Sequence, residues 1–212
     1  MLQVNETFKS VQGESTHAGK VCFFIRLTGC NLRCSYCDTG YAFTGGTSYS
    51  VDELTALAAA AGCDTVEITG GEPLTQQETP LLAEKLLDMG KTVLVETNGS
   101  LDFSVLPDRC CRIVDCKLPG SGMAEHNCFE AYCKLTERDE VKFVVSDRND
   151  FDFSLDVIRK YELHRKTANL LFSPVWGRVE FDRLAQWVVE CGLPVRMQIQ
   201  MHKIIWGDKR GV

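Results

Sequence analysis

The densest chemistry in the chain lies in Cys30-Asn31-Leu32-Arg33-Cys34-Ser35-Tyr36-Cys37, where three thiols follow a Cys-x3-Cys-x2-Cys spacing. Three thiolates on one centre leave a tetrahedral site one ligand short. Either a further Cys or His closes it, as in a structural zinc site, or the position stays open, as in an iron-sulfur cube with one iron lacking a cysteine. With eleven cysteines and four histidines in the chain, spacing alone leaves both open, along with cysteines that merely fill a core. A partly open cluster beside a substrate would be a one-electron donor, its potential set by charge, hydrogen bonds and exposure.

Other residues have the means to bind a ligand near such a centre. Gly70-Gly71-Glu72-Pro73 lets the backbone approach closely, offers Glu72 as an acceptor for a ligand ammonium, and fixes the turn at Pro73; an ordinary strand-to-helix turn would use the same residues. Arg26 interrupts the apolar run Val21 to Leu27. An unpaired charge there would be costly, so its fork needs a carboxylate, from the protein or from an anionic substrate. Gln12-Gly13-Glu14 can present an amide and a carboxylate to a polar ring, or form a solvated turn. Asp38-Thr39 follows the third cysteine and is either a hard-cation ligand such as Mg2+ accepts or a cap. His202 and Lys203 follow the last extended run, where a capping or surface role is the plain alternative.

The elements that must position these residues follow from periodicity and punctuation. Strands are predicted at Val21 to Leu27, Thr65 to Thr69, Lys91 to Glu96, Arg112 to Cys116, Glu140 to Val145 and Asn169 to Ser173, with a last extended run from Pro194 to Gln200 at an edge. Helices are predicted from the Ser50/Glu53 capping box to about Ala61, over Thr79 to Asp88, Leu155 to Glu162 and Phe181 to Glu190, with a short one at Cys128 to Cys133. Alternating strands and helices imply a parallel sheet with right-handed crossovers, which gathers the C-terminal strand ends on one rim. The cysteine loop, Gly70 to Pro73, Thr97-Asn98-Gly99 and Asp115-Cys116-Lys117 all fall on that rim, so the metal loop and the glycine loop should face one cleft.

The 212 residues suit one α/β domain, and 23 Lys and Arg against 29 Asp and Glu give a formal charge of −6 without a basic block. Nonspecific nucleic-acid binding is therefore not favoured. There is no export signal and no apolar run of membrane-spanning length, so the expectation is a cytoplasmic protein whose cysteines are metal ligands or buried thiols rather than a disulfide framework.

Cys30-x3-Cys34-x2-Cys37 with Tyr36, together with Gly70-Gly71-Glu72-Pro73, resembles the radical S-adenosylmethionine superfamily. Within it the chain resembles the 7-carboxy-7-deazaguanine synthase family through Glu6 to Glu14, Phe24 to Cys30, Tyr36 to Thr39, Glu96 to Gly99, Asp115 to Gly122 and His202-Lys203. The resemblance implies an abbreviated, partial TIM-like barrel of about six parallel strands, one domain over residues 1–212 whose short terminal extensions contribute to the substrate site. It implies a [4Fe-4S] cluster on Cys30, Cys34 and Cys37, S-adenosylmethionine contacted by Tyr36, Asp38, Gly70, Gly71, Glu72, Asp115 and Lys117, and Mg2+ on Thr39. The substrate implied is 6-carboxy-5,6,7,8-tetrahydropterin, held by Gln12, Gly13, Glu14, Arg26, Thr69 and His202. A flavodoxin or ferredoxin as electron donor and a homodimer are implied as well, with no nucleic acid or membrane partner. An activating enzyme for glycyl-radical proteins and a non-enzymatic zinc or iron-sulfur module are the alternatives. Replacing Cys34 by Ala is expected to abolish the cluster; anaerobic analysis should find about four irons and four sulfides per chain in the parent protein, and a variant that keeps both them and turnover would overturn the ligand assignment.

Overall fold

The computed structural model describes residues 1–212. Its frame is one nine-stranded sheet formed by β1 (Leu2–Val11), β2 (Val21–Leu27), β3 (Thr47–Tyr49), β4 (Thr65–Gly70), β5 (Thr92–Thr97), β6 (Cys111–Cys116), β7 (Glu140–Val145), β8 (Leu170–Pro174) and β9 (Arg196–Met197). The spatial order is β3-β1-β2-β4-β5-β6-β7-β8-β9. Pairing is parallel from β2 through β9 and antiparallel where β1 joins β2 and β3. Residues of β1, β2 and β4 through β7, with Val175 and Trp176 just after β8, line a single cavity. The sheet is thus curled into a partial barrel, with six full parallel strands and a two-residue seventh at the edge.

Alternation along the strands separates two environments. Phe23, Ile25 and Leu27, Val66 and Ile68, Val93 and Val95, Val141, Phe143 and Val145, and Leu170 and Phe172 belong to the main buried core. That core packs under α1 (Val51–Ala60), α2 (Thr79–Asp88), α3 (Arg148–Lys160) and α4 (Phe181–Glu190). The intervening residues point into the barrel, and there Arg26, Glu67, Thr69, Glu96, Asp115 and Lys142 line the cavity. Period-two alternation therefore writes the core on one face of each strand and the polar site on the other.

Local signals explain the element ends. Ser50 accepts from the Glu53 amide at 3.2 Å while Glu53 accepts from the Ser50 amide at 2.7 Å, closing the expected capping box. Gly62 ends the segment at φ +65°. Two differences from the sequence expectation have identifiable causes. The N-terminal strand β1 was not foreseen because its register slips between Val4 and Glu6, and such a bulge breaks the alternation that betrays a strand. Helix α3 begins at Arg148 rather than near Leu155, because Asp147 caps it by accepting from the Asp150 amide at 2.9 Å. Between β5 and β7, short 3-10 turns replace crossover helices, as an abbreviated barrel allows. A further helix, α5 (Met201–Trp206), follows β9.

One charged pair lies on the core side. Arg112 and Asp139 are both fully buried, and the Asp139 carboxylate accepts from Arg112 Nε at 2.9 Å, Arg112 Nη2 at 2.6 Å and the Arg112 amide at 3.0 Å. It also accepts from the Thr136 amide and hydroxyl. Removing one partner would strand a buried charge, so Asp139→Ala is expected to destabilise the fold by about 3–5 kcal/mol in urea denaturation, whereas replacing the exposed Arg109 should leave the midpoint nearly unchanged.

Candidate active site

The cysteine loop leaves the end of β2 and is pinned from several sides. The Gly29 amide donates to Ala42 O at 2.9 Å, and the Glu72 amide donates to Gly29 O at 2.8 Å. The Ser35 amide and hydroxyl donate to Ser121 O at 3.0 Å and Gly120 O at 2.7 Å, and Tyr36 Oη donates to Val144 O at 3.1 Å. Gly71 is a glycine for a steric reason: a Cβ there would collide with the Gly29 carbonyl and lie 2.8 Å from Cys30 Cβ. The three thiols line one cavity and none is in a disulfide.

These residues fit an iron-sulfur cluster. The Leu32 amide approaches Cys30 Sγ at 3.4 Å and Asn98 Nδ2 approaches it at 3.7 Å, donors of the kind that stabilise a thiolate bound to metal. Burial raises the Cys34 and Cys37 thiols above their ordinary pKa, and the neighbouring cysteines add to the rise. A cationic centre at their convergence reverses that preference.

Beside the thiols, Lys117 Nζ bonds Asp115 Oδ2 at 2.8 Å. Burial opposes the Lys117 ammonium, but Asp115 and Cys34 outweigh it and its pKa is raised. Asp115 Oδ1 is buried at the cavity wall without a partner, an acceptor suited to an ammonium or hydroxyl of a bound molecule. Gly70, at φ +151°, and Gly71 line the same wall. Glu72 does not. It is fully buried, and its carboxylate accepts from the amides of Leu74 at 2.9 Å and Asn98 at 2.6 Å and from Thr97 Oγ1 at 2.9 Å. Its expected place as a ligand acceptor is corrected: Glu72 ties the rim after β4 to the rim after β5.

The far part of the cavity, about 480 Å³ in all, is lined by the N-terminal loop and α5. Arg26 Nε pairs with Glu6 Oε1 at 2.8 Å, and Tyr41 Oη donates to the same oxygen at 2.8 Å. Of the two partners expected for Arg26, the internal carboxylate is present and takes Nε, which leaves the two Nη groups for the cavity. Gln12 Nε2 donates to Glu67 Oε2, and Gln12 Oε1 accepts from the Glu14 amide at 2.9 Å. Glu14 accepts from Lys142 Nζ at 3.0 Å and Gln200 Nε2 at 2.8 Å. Thr69 Oγ1 donates to Glu96 Oε2 at 3.1 Å, and Lys142 pairs with Glu96 as well. His202 lies against Gly13, where no Cβ would fit, and the Met201 amide donates to Gly13 O at 2.9 Å. Lys203 Nζ reaches Asp38 Oδ2 at 2.7 Å, and Thr39 Oγ1 donates to Asp38 Oδ1 at 2.9 Å. Burial pushes the Asp38 carboxyl up, but Lys203 and Thr39 more than offset this and hold it at about 2.

Sequence reasoning missed Glu6, Glu67, Glu96 and Lys142 as site residues. For Glu67, Glu96 and Lys142 the signal was the one that marked Arg26, a charge inside a largely apolar strand, whereas Glu6 lies in the polar strand β1 and carries no such mark. Burial, then the facing Glu96, pushes Glu67 well above the usual carboxylate range, while Lys142 keeps Glu96 ionised against its own burial. Two carboxyl groups on adjacent strands are thus pushed in opposite directions, Glu67 up and Glu96 down.

The radical SAM superfamily model matches residues 24–188. A protein named 7-carboxy-7-deazaguanine synthase from Koribacter versatilis is 41% identical over 97% of each chain. One of the same name from Chlorobaculum tepidum is 42% identical over 100% of this chain and 97% of its own. Among solved structures, QueE from Escherichia coli superposes with a TM-score of 0.78 at 22% identity, covering 95% of this chain and 94% of that one. Streptococcus suis SuiB bound to S-adenosylmethionine superposes at 0.61 with 11% identity, covering 81% and 48%.

The Gly71 approach yields a direct test. Gly71→Ala should push the Gly29-Cys30 backbone away from β4 and lower cluster content in anaerobic reconstitution, with secondary structure retained by circular dichroism; full cluster loading would show that the loop tolerates the displacement.

Proposed function

The chain belongs to the radical SAM superfamily and, within it, to the 7-carboxy-7-deazaguanine synthase family, and on that premise we propose that it contracts 6-carboxy-5,6,7,8-tetrahydropterin to 7-carboxy-7-deazaguanine with loss of ammonia. The observation that carries this reading is one cavity lined by Cys30, Cys34 and Cys37, by the Gln12-Gly13-Glu14 loop, and by an arginine, Arg26, whose ion pair with Glu6 uses Nε and leaves its two Nη groups free. When bound, a [4Fe-4S] cluster with S-adenosylmethionine supplies a 5'-deoxyadenosyl radical that removes a substrate hydrogen.

The chain's own residues bind and orient. Cys30, Cys34 and Cys37 would hold the cluster, with the Leu32 amide and Asn98 tuning Cys30. Gly70, Gly71, Tyr36, Asp38, Asp115 and Lys117 would form the S-adenosylmethionine wall, Asp115 Oδ1 accepting from it. Arg26 would take the substrate carboxylate through its Nη groups, its plane fixed by Glu6 and by the Phe8 and Tyr41 rings, each 5.9 Å away. Thr39, oriented by Asp38, would contribute an oxygen to Mg2+, which would supply the orienting charge of a hard cation. Gln12, Gly13, Glu14 and Thr69 would meet the polar edge of the pterin, and Glu67, pushed toward its neutral form, would be a donor beside Gln12. His202 would close over the ring on α5, and Gly207 to Val212 also line the cavity.

The reading extends to one unit over residues 1–212, with both terminal extensions serving the substrate site. A flavodoxin or ferredoxin would deliver electrons past the exposed Cys37 and Arg33, and the working form would be a cytoplasmic homodimer. No helix is long and apolar enough to cross a membrane. A cavity this densely set with charges suits a small polar molecule better than the extended peptide an activating enzyme must admit.

The deciding experiment is anaerobic incubation of the reconstituted protein with S-adenosylmethionine, reductant, Mg2+ and the carboxypterin, with product identified by mass; cluster present but no deazapurine formed would refute the substrate. Arg26→Ala should weaken carboxypterin capture by about 2–5 kcal/mol in calorimetry while leaving cluster content unchanged, and unaltered binding would remove the clamp.

A further inference from the structure

A second group of metal-ligating side chains lies at the opposite end of the barrel from the cysteine loop. Cys111 and Glu140 are the first residues of β6 and β7, so they stand at the N-terminal strand ends, and His17 comes from the loop joining β1 to β2. One ligand atom from each lies within 4.8 Å of the other two, with Cys111 Sγ 3.9 Å from Glu140 Oε1. We propose that His17, Cys111 and Glu140 form a zinc-type metal site, separate from the cluster, that fastens the substrate loop to the foot of the barrel.

The donor set is one nitrogen, one sulfur and one oxygen, a combination zinc accepts in tetrahedral geometry with water as the fourth ligand. Zinc bonds of roughly 2.0–2.3 Å place neighbouring ligand atoms roughly 3–4 Å apart. The Cys111–Glu140 separation already meets this, and His17, half-buried on a loop, supplies the remaining adjustment. A cavity of about 410 Å³, lined by Thr16, His17 and Cys111 and also by Lys91, Arg109 and Arg138, gives the ion and its water a way in.

Glu140 supplies a second line of argument. It is fully buried, yet its carboxyl accepts only from the Thr16 amide, at 3.1 and 3.2 Å, from Thr16 Oγ1 at 2.5 Å and weakly from the Cys111 thiol. No ammonium or guanidinium lies within ion-pairing distance of it, and Arg196 and Lys142 act on it only from further off, so this buried acid has room for a cation bound directly to it. Burial also favours the neutral Cys111 thiol and neutral His17, and a metal would take the proton from the thiol. The nearest competitor is Lys20, whose ammonium lies 3.3 Å from His17 Nδ1; it is exposed and free to swing into water. Since Gln12, Gly13 and Glu14 precede His17 on the same loop, an occupied site would hold them against β6 and β7.

The test uses the cluster-loaded protein, so that Cys30, Cys34 and Cys37 are already engaged. Zn2+ is titrated by equilibrium dialysis and its surroundings are read by zinc-edge X-ray absorption, which iron does not obscure. The expected result is one Zn2+ per chain beyond the iron, with one sulfur at about 2.3 Å and lighter ligands at about 2.0–2.1 Å. His17→Ala, a loop change that leaves the strands intact, should weaken uptake roughly tenfold or more, and Cys111→Ser should remove the sulfur from the spectrum. Equal uptake by wild type and His17→Ala, no uptake at all, or a shell of several sulfurs indicating capture by the cluster cysteines would each overturn the site.

Discussion

The arrangement of the cleft depends on one buried ammonium. Lys142 stands on β7 with its nitrogen enclosed, bonding Glu14 of the N-terminal loop and Glu96 of β5 and lying 4.0 Å from Asp115 of β6. Carboxylates gathered in so small a space would repel one another and lose their solvation. A central cation turns that repulsion into a reason for three separate segments to meet. Glu67, which burial and the facing Glu96 push toward its neutral form, takes the Gln12 amide instead. The N-terminal loop and the β5 and β6 walls of the cavity are therefore wired to the same charge.

Steric constraints set the reach of the cavity where Lys142 sets its charge. At the rim, Gly71 and Gly29 meet backbone to backbone, bringing the cysteine loop down onto β4. Beneath α5, the His202 side chain rests directly on Gly13, which has no side chain to hold it off. Neither contact carries much energy by itself. Each fixes a distance that a methyl group would spoil, and glycine meets that requirement by lacking a Cβ.

Much of this was legible in the chain. Strands β2 and β4 through β8, the helices α1, α2 and α4, and the gathering of the cysteine, glycine and Asp115-Lys117 loops on one rim all follow from alternation, caps and parallel topology. Features set by tertiary context were harder to read. The bulge in β1 erased its period, and Asp147 caps α3 ahead of a polar stretch that looked like loop. Glu72 reads as a ligand residue because it stands in a ligand loop, but only the fold reveals the amides of Leu74 and Asn98 converging on it. Glu67 and Lys142 look like imperfect strand residues until the sheet curls and their face becomes the inside.

The curl also explains why the two terminal segments belong to the site. An open parallel sheet leaves its interior exposed along the gap and at the foot. The β1–β2 loop fills the foot, placing Gln12 and Glu14 against Glu67 and Lys142, while α5 covers the gap. Two consecutive residues of α5 face different partners, His202 meeting the substrate loop and Lys203 meeting Asp38 beside the cysteines. A single helical turn thus touches both parts of the cavity. The His202 contact with Gly13 and the Lys203 ion pair with Asp38 therefore tie α5 at once to the N-terminal loop and to the loop that carries Cys37.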